Sequence, residues 1–363
     1  MAKHIAFFVS SFNLGGVERA FVNLANSFAE DGHKVDFIVS LNEGVLKSEL
    51  DSKVNIVDLR CSKLRNSFIK LHSYIQKSSA DLLISGPTYP NIIAVICNLL
   101  SFKKLKVVVT QHSYQDVEMD NLGLIGKLAP HLIKITYNHA DKVVAVSQGV
   151  KTDLITNYHI NPSKIKVIYN AVINGSFFMK SKELVEESIF NKISFNNYLV
   201  AVGRLEIVKN YPFLINVYAK MRDEISDFNY DLVILGDGTE RNNLEDLVKE
   251  LGIQQYVHFL GAVSNPFPII KMAKVLLHTS FSEAMPLVYV EALALQVPVV
   301  TTCNKGALEV LNGVVQKVIV NSYDENEFMK AVLKILEKNK FLELPNLDKF
   351  HSDSIKESFL SLI

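Results

Sequence analysis

Two glutamates in an apolar stretch have the residue type and spacing that best suit chemistry. The stretch runs from residue 281 to 298, with Glu283 near its start and Glu291 eight positions later. Pro286 suits the first turn of a helix. From there to Gln296 nearly every residue is apolar, so we expect a helix that is buried on all sides. A buried carboxylate needs hydrogen-bond donors, and a helix N-terminus offers free N–H groups to an anion, so the pattern predicts a site for a sugar attached to a phosphate.

This stretch resembles glycosyltransferase family four, in which two glutamates with seven residues between them stand in a setting like S-x-E-G-x-P-L-V-x-x-E-A-x-A-x-G-x-P-V-V. The positions that match are Glu283, Pro286, Leu287, Glu291, Ala292, Pro298, Val299 and Val300. The sequence departs from the family at Ala284 and Gln296, where glycine is usual. The resemblance implies that Glu291 binds ribose hydroxyls. It also implies that Glu283 holds the sugar, together with the residues that follow it, which are Ala284, Met285, Pro286 and Leu287.

The whole-chain composition predicts a globular protein with two domains, because the chain has 363 residues, of which 48% are hydrophobic and 21% charged. Residues 1–175 carry 19 Lys and Arg against 14 Asp and Glu, which suits an acidic or membrane-borne partner as well as ordinary surface scatter. We expect a cytoplasmic protein, because no signal peptide, membrane-spanning run or zinc-like cysteine spacing is present. Peripheral contact with anionic lipid on the inner face of the cytoplasmic membrane is a further expectation, and nucleic acid is not expected as a partner.

The N-terminal half begins with a strand-like run at residues 5–9, followed by Gly15 and Gly16 and then by an amphipathic helix. Adjacent glycines at the carboxyl end of a strand let the backbone approach a phosphate closely, although a plain tight turn explains them as well. The resemblance to the family favours the first interpretation, because its G-G loop faces the donor phosphates and the acceptor.

His112 follows the predicted strand at residues 105–110. A lone histidine is more often structural or solvated than catalytic. At this place, however, the family has a T-x-H-x segment whose histidine contacts the transferred sugar, and the resemblance therefore implies a functional role for His112.

The second half starts like the first, with a predicted strand at residues 198–202 and a loop that contains Gly203, Arg204 and Lys209. An arginine fork and a lysine point charge suit a diphosphate, and they match the G-R-L-x-x-x-K-N segment whose charged residues hold the diphosphate in the family. The chain has no D-x-D motif, with which many nucleotide-sugar enzymes bind a divalent metal. We therefore expect no metal and no cofactor besides a nucleotide diphosphate sugar as co-substrate.

A dinucleotide-binding fingerprint is incomplete in this chain. Gly236 and Gly238 follow a predicted strand, but Arg241 stands where the third glycine of G-x-G-x-x-G belongs, which disfavours a dehydrogenase. The resemblance explains the same residues within a nucleotide-sugar domain, and it places Val263 in a loop that helps to enclose the base.

The resemblance implies an α/β fold with two Rossmann-like domains that face each other across a cleft, the GT-B arrangement. We expect an acceptor-side domain at residues 1–175, a linker at 176–197 and a nucleotide-sugar domain at 198–349. The last helix, at about 350–363, is expected to cross back onto the first domain.

The implied reaction is transfer of a hexose or N-acetylhexosamine, with retention of configuration, from a nucleotide diphosphate sugar to a hydroxyl. The donor is expected to be UDP-linked. The acceptor is expected to be a lipid-linked or cell-surface glycan, such as the O-antigen or core of lipopolysaccharide, or capsule. By the family pattern Glu283, His112, Arg204 and Lys209 are the catalytic residues. The motifs contain no obvious nucleophile for a covalent intermediate. A sugar-nucleotide epimerase on the same fold and a catalytically silent partner subunit remain alternatives.

Overall fold

A computed structural model of the chain describes residues 2–13, 15–114, 123–185, 197–314, 317–337 and 345–362. The chain divides into two compact units, Met1–Asn174 with Asp348–Ile363, and Gly175–Leu347. Each unit contains one parallel β-sheet whose strands alternate along the chain with helices, so the predicted α/β class with two Rossmann-like domains is confirmed. No helix among these residues is long and apolar enough to span a bilayer.

The first sheet has seven parallel strands in the order β3-β2-β1-β4-β5-β6-β7. The order in which successive strands are added reverses between β1 and β4, which is the switch point of the sheet. Ligands of open parallel sheets bind beyond the carboxyl ends of the strands at such a switch point. The strands are β1 (His4–Val9), β2 (Lys34–Val39), β3 (Asn55–Asp58), β4 (Leu82–Ser85), β5 (Lys106–Gln111), β6 (Lys142–Ala145) and β7 (Ile165–Val167). The α-helices between them are α1 (Gly16–Glu30), α2 (Ser67–Lys77), α3 (Thr88–Leu100), α4 (Gly123–His139) and α5 (Gln148–Thr156).

Aromatic packing joins α1 to this sheet. Every residue of β1 is buried, as expected of a central parallel strand. The ring of Phe7 in β1 lies 5.4 Å from Phe21 of α1 and 5.9 Å from Phe37 of β2. These rings fill one core, and they fix the start of α1, where Gly15 and Gly16 lie, above the end of β1.

The second sheet has six strands in the order β10-β9-β8-β11-β12-β13, with its switch point between β8 and β11. Its strands are β8 (Tyr198–Val202), β9 (Asp231–Leu235), β10 (Val257–Gly261), β11 (Leu276–His278), β12 (Val299–Thr302) and β13 (Lys317–Val320). Its α-helices are α6 (Phe177–Lys180), α7 (Tyr211–Glu224), α8 (Arg241–Glu250), α9 (Phe267–Met272), α10 (Leu287–Ala294), α11 (Lys305–Val310) and α12 (Glu325–Leu336). Short 3-10 turns occur at Val45–Glu49, Leu64–Asn66, Pro162–Lys164, Ile207–Lys209 and Asp348–Phe350.

Two stretches near the predicted domain boundaries contain helices. The predicted linker at 176–197 contains α6, whose Phe177 is buried with its ring 4.6 Å from Phe267, while residues 186–196 lie outside the described part of the chain. The last helix, α13 (Ser352–Leu360), packs against α1, and the buried Lys356 forms an ion pair with Asp31 at 2.5 Å. The chain therefore returns to the first unit at its end.

Helix α10 ends in a Schellman motif at the position where the sequence departs from its family. The N–H of Gln296 donates to the carbonyl of Leu293, and the N–H of Val297 donates to the carbonyl of Ala292. Gln296 has a φ of 63°, which is in the left-handed region that glycine adopts without steric cost. The backbone thus keeps the conformation that a glycine would favour.

We expect Gln296→Gly to stabilise the protein by about 0.5–1 kcal/mol, because relief of left-handed strain exceeds the extra unfolded-state entropy of glycine. Urea and thermal unfolding of the two proteins measure the difference. Gln296→Ala is the matched control, since it removes the same polar atoms but keeps Cβ. An equal gain in the alanine variant would contradict the explanation.

Candidate active site

The loop after β8 is fixed to the segment after β11 by hydrogen bonds. Thr279 donates from Oγ1 to the carbonyls of Lys209 and Asn210, at 3.1 and 3.0 Å. The N–H of Phe281 donates to the carbonyl of Val208 at 2.9 Å. Asn210 itself has a φ of 50°, a conformation that asparagine tolerates, and α7 begins at the next residue. The loop after β8, which contains Lys209, and the segment after β11, which contains Glu283, are therefore held together at the switch point.

Lys209 and Glu283 form a largely buried ion pair. Lys209 Nζ lies 2.5 Å from Glu283 Oε1, and the two side chains are 20% and 12% exposed. His278 Nε2 lies 3.2 Å from the same oxygen. Two residues predicted separately, one for the diphosphate and one for the sugar, are thus in direct contact.

The charge state of Glu283 follows from these contacts. Burial alone would raise the pKa of the carboxyl, but the positive charge of Lys209 and the hydrogen bond from His278 outweigh it and hold the pKa far below its ordinary value. Glu283 is therefore ionised at neutral pH. It can accept hydrogen bonds from sugar hydroxyls but cannot act as a proton donor.

Sequence reasoning missed two residues behind Glu283. His278, the last residue of β11, has Nδ1 at 2.9 Å from the hydroxyl of Tyr289 in α10, and that hydroxyl lies 2.7 Å from Thr301 Oγ1 in β12. All three side chains are buried. The sequence feature that could have indicated these residues is a histidine and a tyrosine within an otherwise apolar strand and helix.

A third residue that was missed is Gly306, which supports the Glu283 segment from α11. Its N–H donates to the carbonyl of Glu283 at 2.9 Å. A Cβ at this position would lie 2.7 Å from that carbonyl oxygen and 2.8 Å from Pro286 Cδ, closer than real Cβ contacts come. Only glycine therefore lets α11 approach the segment this closely.

The segment after Glu283 is as apolar and buried as the sequence predicts. Ala284, Met285 and Pro286 are buried, and α10 begins at Leu287, one residue later than expected. Glu291 is 8% exposed on this helix. The structure therefore places a carboxylate inside an apolar helix, and the ribose contact predicted for Glu291 stays a prediction.

The loop that contains Gly203 and Arg204 packs closely against the two glycines of the incomplete fingerprint. A Cβ on Gly236 would lie 1.9 Å from the carbonyl oxygen of Gly203, and one on Gly238 would lie 2.4 Å from that of Leu205. These glycines are required by backbone packing in this unit. Arg204 is exposed, and it forms no ion pair with any residue that the structure describes.

Val263 is half-buried in the loop after β10. Its predicted contact with a base stays a prediction. Among the described residues, no group of three or more His, Cys, Asp or Glu side chains is arranged to hold a metal ion.

In the first unit, His112 is held as a neutral ring with one unused nitrogen. Thr110 Oγ1 donates to the carbonyl of Ser85 at 2.8 Å, so the His112 Nε2 that lies 2.8 Å from Thr110 Oγ1 is the donor of that hydrogen bond. Nδ1 is buried and has no hydrogen-bond partner within the described chain. Burial lowers the pKa of His112 to about 4, although the nearby Asn170 side chain opposes this shift. The ring can therefore accept one hydrogen bond at Nδ1.

Buried amides fix the backbone next to His112. Tyr137 donates from its hydroxyl to Gln111 Oε1 and accepts from Asn91 Nδ2, both at 2.8 Å. Asn91 also donates to the carbonyl of Thr110, and Gln111 to that of Ser113. The residues on both sides of His112 are thereby held by side chains of α3 and α4.

Gly15 and Gly16 lie where β1 leads into α1. Gly15 has an extended backbone, and a Cβ there would lie 2.2 Å from a carboxylate oxygen of Glu18. Gly16 is exposed as the first residue of the helix. The structure thus places Gly15, Gly16 and His112 in the first unit, and every other predicted site residue in the second.

The two sheets with their strand-end loops define the class of α/β enzymes that bind nucleotides and sugar nucleotides. The sequence models of two families match the chain, "Glycosyltransferase Family 4" over residues 14–173 and "Glycosyl transferases group 1" over residues 185–347. Together they match most of the chain, which therefore belongs to these glycosyltransferases.

Known proteins agree with this assignment. A relative from Campylobacter jejuni is 28% identical over 99% of this chain and 98% of its own. It is an α-1,4-N-acetyl-D-galactosaminyltransferase, and its name gives the glycan GalNAc-α-(1→4)-GalNAc-α-(1→3)-diNAcBac-PP-undecaprenol. Anabaena HepE, solved with UDP-glucose, has a TM-score of 0.77 at 18% identity over 99% of this chain and 98% of its own. WaaG, a glycosyltransferase involved in lipopolysaccharide biosynthesis, has a TM-score of 0.72 at 17% identity over 99% and 93%. The fold is thus the GT-B type of these enzymes.

The neutral ring of His112, which is partly buried, should make stability depend on pH. Its pKa is about 4 in the folded chain against 6.5 for the free side chain, so between these values the unfolded state binds the extra proton. This contribution is complete above pH 6.5 and is lost as the pH falls toward 4, by at most about 1.4 kcal/mol per pH unit. We expect His112→Gln, which keeps a donor for Thr110, to lose less stability than the wild type between pH 7 and 5. Urea unfolding at both values measures this, and equal losses in the two proteins would contradict the assignment.

Proposed function

We propose that the chain transfers a hexose or N-acetylhexosamine from a UDP-sugar to a hydroxyl of a lipid-linked or cell-surface glycan, with retention of configuration. The observation that carries the proposal is the ion pair of Lys209 with ionised Glu283 at the carboxyl ends of β8 and β11, where a parallel sheet binds its ligand. An ammonium group for a diphosphate and a carboxylate for hydroxyls are the two groups that a sugar nucleotide requires.

Each predicted residue then has a role in the transfer. Arg204 and Lys209 stabilise the diphosphate as it leaves, because both are cations on the loop after β8. Glu283 accepts hydrogen bonds from the sugar hydroxyls, and Glu291 accepts them from the ribose. His112 accepts a hydrogen bond from the sugar at the unpaired Nδ1.

The remaining contacts follow from the backbone and the domains. Gly15 and Gly16 approach the phosphates, the amides after Glu283 hold the sugar phosphate, and Val263 lies against the base. The first domain, at about residues 1–175, takes the acceptor, and the second, at about 198–349, takes the donor. Attack on the same face of the sugar, assisted by the leaving phosphate, gives retention without a covalent intermediate.

The choice of donor and acceptor rests on the similar proteins. HepE was solved with UDP-glucose, and the Campylobacter enzyme is named for an undecaprenyl-diphosphate-linked glycan. We also propose that no divalent metal takes part, since the chain lacks a D-x-D motif and has two cations on the loop after β8, Arg204 and Lys209, that can neutralise a leaving diphosphate.

The first test is release of nucleoside diphosphate from UDP-, GDP- and ADP-sugars, with and without polyprenyl-diphosphate and lipopolysaccharide acceptors, in EDTA. We expect acceptor-dependent release from a UDP-sugar. Arg204→Gln should lower kcat/KM by about 100-fold, as loss of one charge-stabilising donor does, and Glu291→Gln should weaken UDP binding. Glu224→Gln, at an exposed glutamate of α7, is the matched control.

Three results would contradict the proposal. Conversion of the sugar nucleotide without any acceptor would indicate an epimerase. Absence of turnover and of binding with every sugar nucleotide would indicate a silent partner subunit. Loss of activity on chelation, with recovery on adding a divalent cation, would contradict metal independence.

We further propose that the protein works in the cytoplasm, on an anionic membrane that it contacts through α3 and α4. The two helices pack against each other, and large apolar side chains are exposed on them and just after α3. These side chains are Leu99, Leu100, Phe102, Leu132 and Ile135, of which Phe102 is 99% exposed. Exposed lysines lie beside them, at Lys103, Lys104 and Lys134. Apolar side chains with a cationic rim suit insertion among anionic lipid headgroups.

Sedimentation with vesicles tests this contact. We expect the protein to bind vesicles that contain phosphatidylglycerol more tightly than pure phosphatidylcholine vesicles, and less tightly as salt rises. Phe102→Ser should weaken binding by about tenfold, because the variant has no aromatic ring to transfer from water into the membrane surface. Leu251→Ser, at an exposed apolar residue of the second unit, is the control. Binding that is the same for both lipid compositions, or equal loss in both variants, would contradict this surface.

A further inference from the structure

A buried chain of hydrogen bonds ends on the carboxylate of Glu283. It runs from Thr301 Oγ1 to the Tyr289 hydroxyl (2.7 Å), from there to His278 Nδ1 (2.9 Å), and from His278 Nε2 to Glu283 Oε1 (3.2 Å). Thr301 and Tyr289 have no exposed surface, and His278 is also buried. The chain therefore connects β12, α10 and β11 to the carboxylate without solvent.

The direction of the protons along this chain follows from hydrogen-bond accounting. Burial and the charge of Lys209 lower the pKa of His278 more than the hydrogen bond with Glu283 and its negative charge raise it, so the ring is neutral and has one N–H. An ionised carboxylate can only accept, so that N–H is on Nε2. Nδ1 must then accept from the Tyr289 hydroxyl, which keeps its proton because burial raises the pKa of the phenol. The Tyr289 oxygen accepts in turn from Thr301 Oγ1, whose hydroxyl has a second acceptor within reach, the carbonyl of Thr302 at 3.0 Å.

Binding of a diphosphate would weaken the contact of Glu283 with Lys209 but not its contact with His278. Lys209 and His278 both contact Oε1, and Oε2 has no hydrogen-bond partner within the described residues. A diphosphate that binds Lys209 competes with Glu283 for the ammonium group. His278 has no such competitor, since it is buried and its other nitrogen is bonded to Tyr289.

We propose that His278 and Tyr289 are positioning residues that hold Glu283 by Oε1 and leave Oε2 to the sugar of the donor. The proposal rests on the proposed function, because it assigns the sugar to Glu283. Tyr289 donates to Nδ1 and fixes the orientation of the ring, and His278 keeps the carboxylate in place while Lys209 is shared with the diphosphate. Neither residue touches the substrate.

The variants separate the donated hydrogen bond from simple packing. His278→Gln can present an amide N–H near the position of Nε2, whereas His278→Leu fills similar space without a donor. Tyr289→Phe removes only the hydroxyl, which leaves Nδ1 without a donor while the carboxylate still holds the proton on Nε2, so the ring is oriented less firmly. His258→Leu is the matched control, because His258 pairs with Asp231 through Nε2 at 2.9 Å at the amino end of β9, the edge of the sheet opposite the site.

The readouts are UDP affinity by calorimetry and kcat with the UDP-sugar and acceptor used by the wild type. We expect His278→Leu to lower kcat by about 100-fold with UDP affinity changed by less than about threefold, because a misplaced group costs the transition state more than nucleotide binding. His278→Gln should recover most of this loss, and His258→Leu should match the wild type. Tyr289→Phe should lower kcat by about tenfold with UDP affinity changed by less than about threefold, because the ring that orients Glu283 has lost one of its two hydrogen bonds.

The outcomes distinguish this inference from the proposed function. A wild-type protein that uses no sugar nucleotide overturns both. An active wild type with His278→Leu within about threefold of its kcat, or with His278→Gln as impaired as His278→Leu in folded protein, overturns the positioning role alone. A Tyr289→Phe kcat within about threefold of the wild type overturns the role of Tyr289.

Discussion

The buried charge of Glu283 is the constraint on which the second domain depends. A carboxylate with little access to water needs a counter-charge and donors, and it is destabilising without them. Lys209 meets that need from the loop after β8, and His278 from the last residue of β11. These strands are neighbours in the sheet, so strand order brings the three side chains together from distant parts of the sequence. The hydrogen bonds of Thr279 to the loop after β8 then keep the two strand ends from separating.

Close backbone packing around this pair explains glycines that could be mistaken for ligand-binding ones. Gly236 and Gly238 resemble the start of a dinucleotide fingerprint, but each lies against a carbonyl of the Gly203–Leu205 loop with no room for a Cβ. Gly306 similarly lies against the carbonyl of Glu283. The segments that hold Lys209 and Glu283 are thus braced by backbone contacts, which are stiffer than side-chain contacts. This rigidity suits a site that must be organised before its ligand arrives.

Much of the architecture could be predicted, because the strands are apolar runs and the helices have a clear period. Glu283 and Lys209 could be predicted singly, from residue type and position at strand ends. Their pairing could not, since they are 74 positions apart and contact depends on which strands are adjacent. His278 and Tyr289 could not be found because a polar residue in an apolar run shows no partner until the fold supplies one. The helix at Phe177–Lys180 was missed because its burial depends on Phe267, which is distant in sequence.

His112 and His278 show how the same side chain is suited to different tasks. Burial keeps both rings neutral, and each donates from Nε2 to a partner inside its own domain. They differ at Nδ1. In His278 that nitrogen accepts from Tyr289, so the ring has no capacity left for a ligand and can only orient Glu283. In His112 it has no partner within the described residues, so the ring retains one acceptor in a site where an unmet hydrogen bond is costly. Accounting for each ring proton therefore separates a residue that can contact substrate from one that acts through its neighbour.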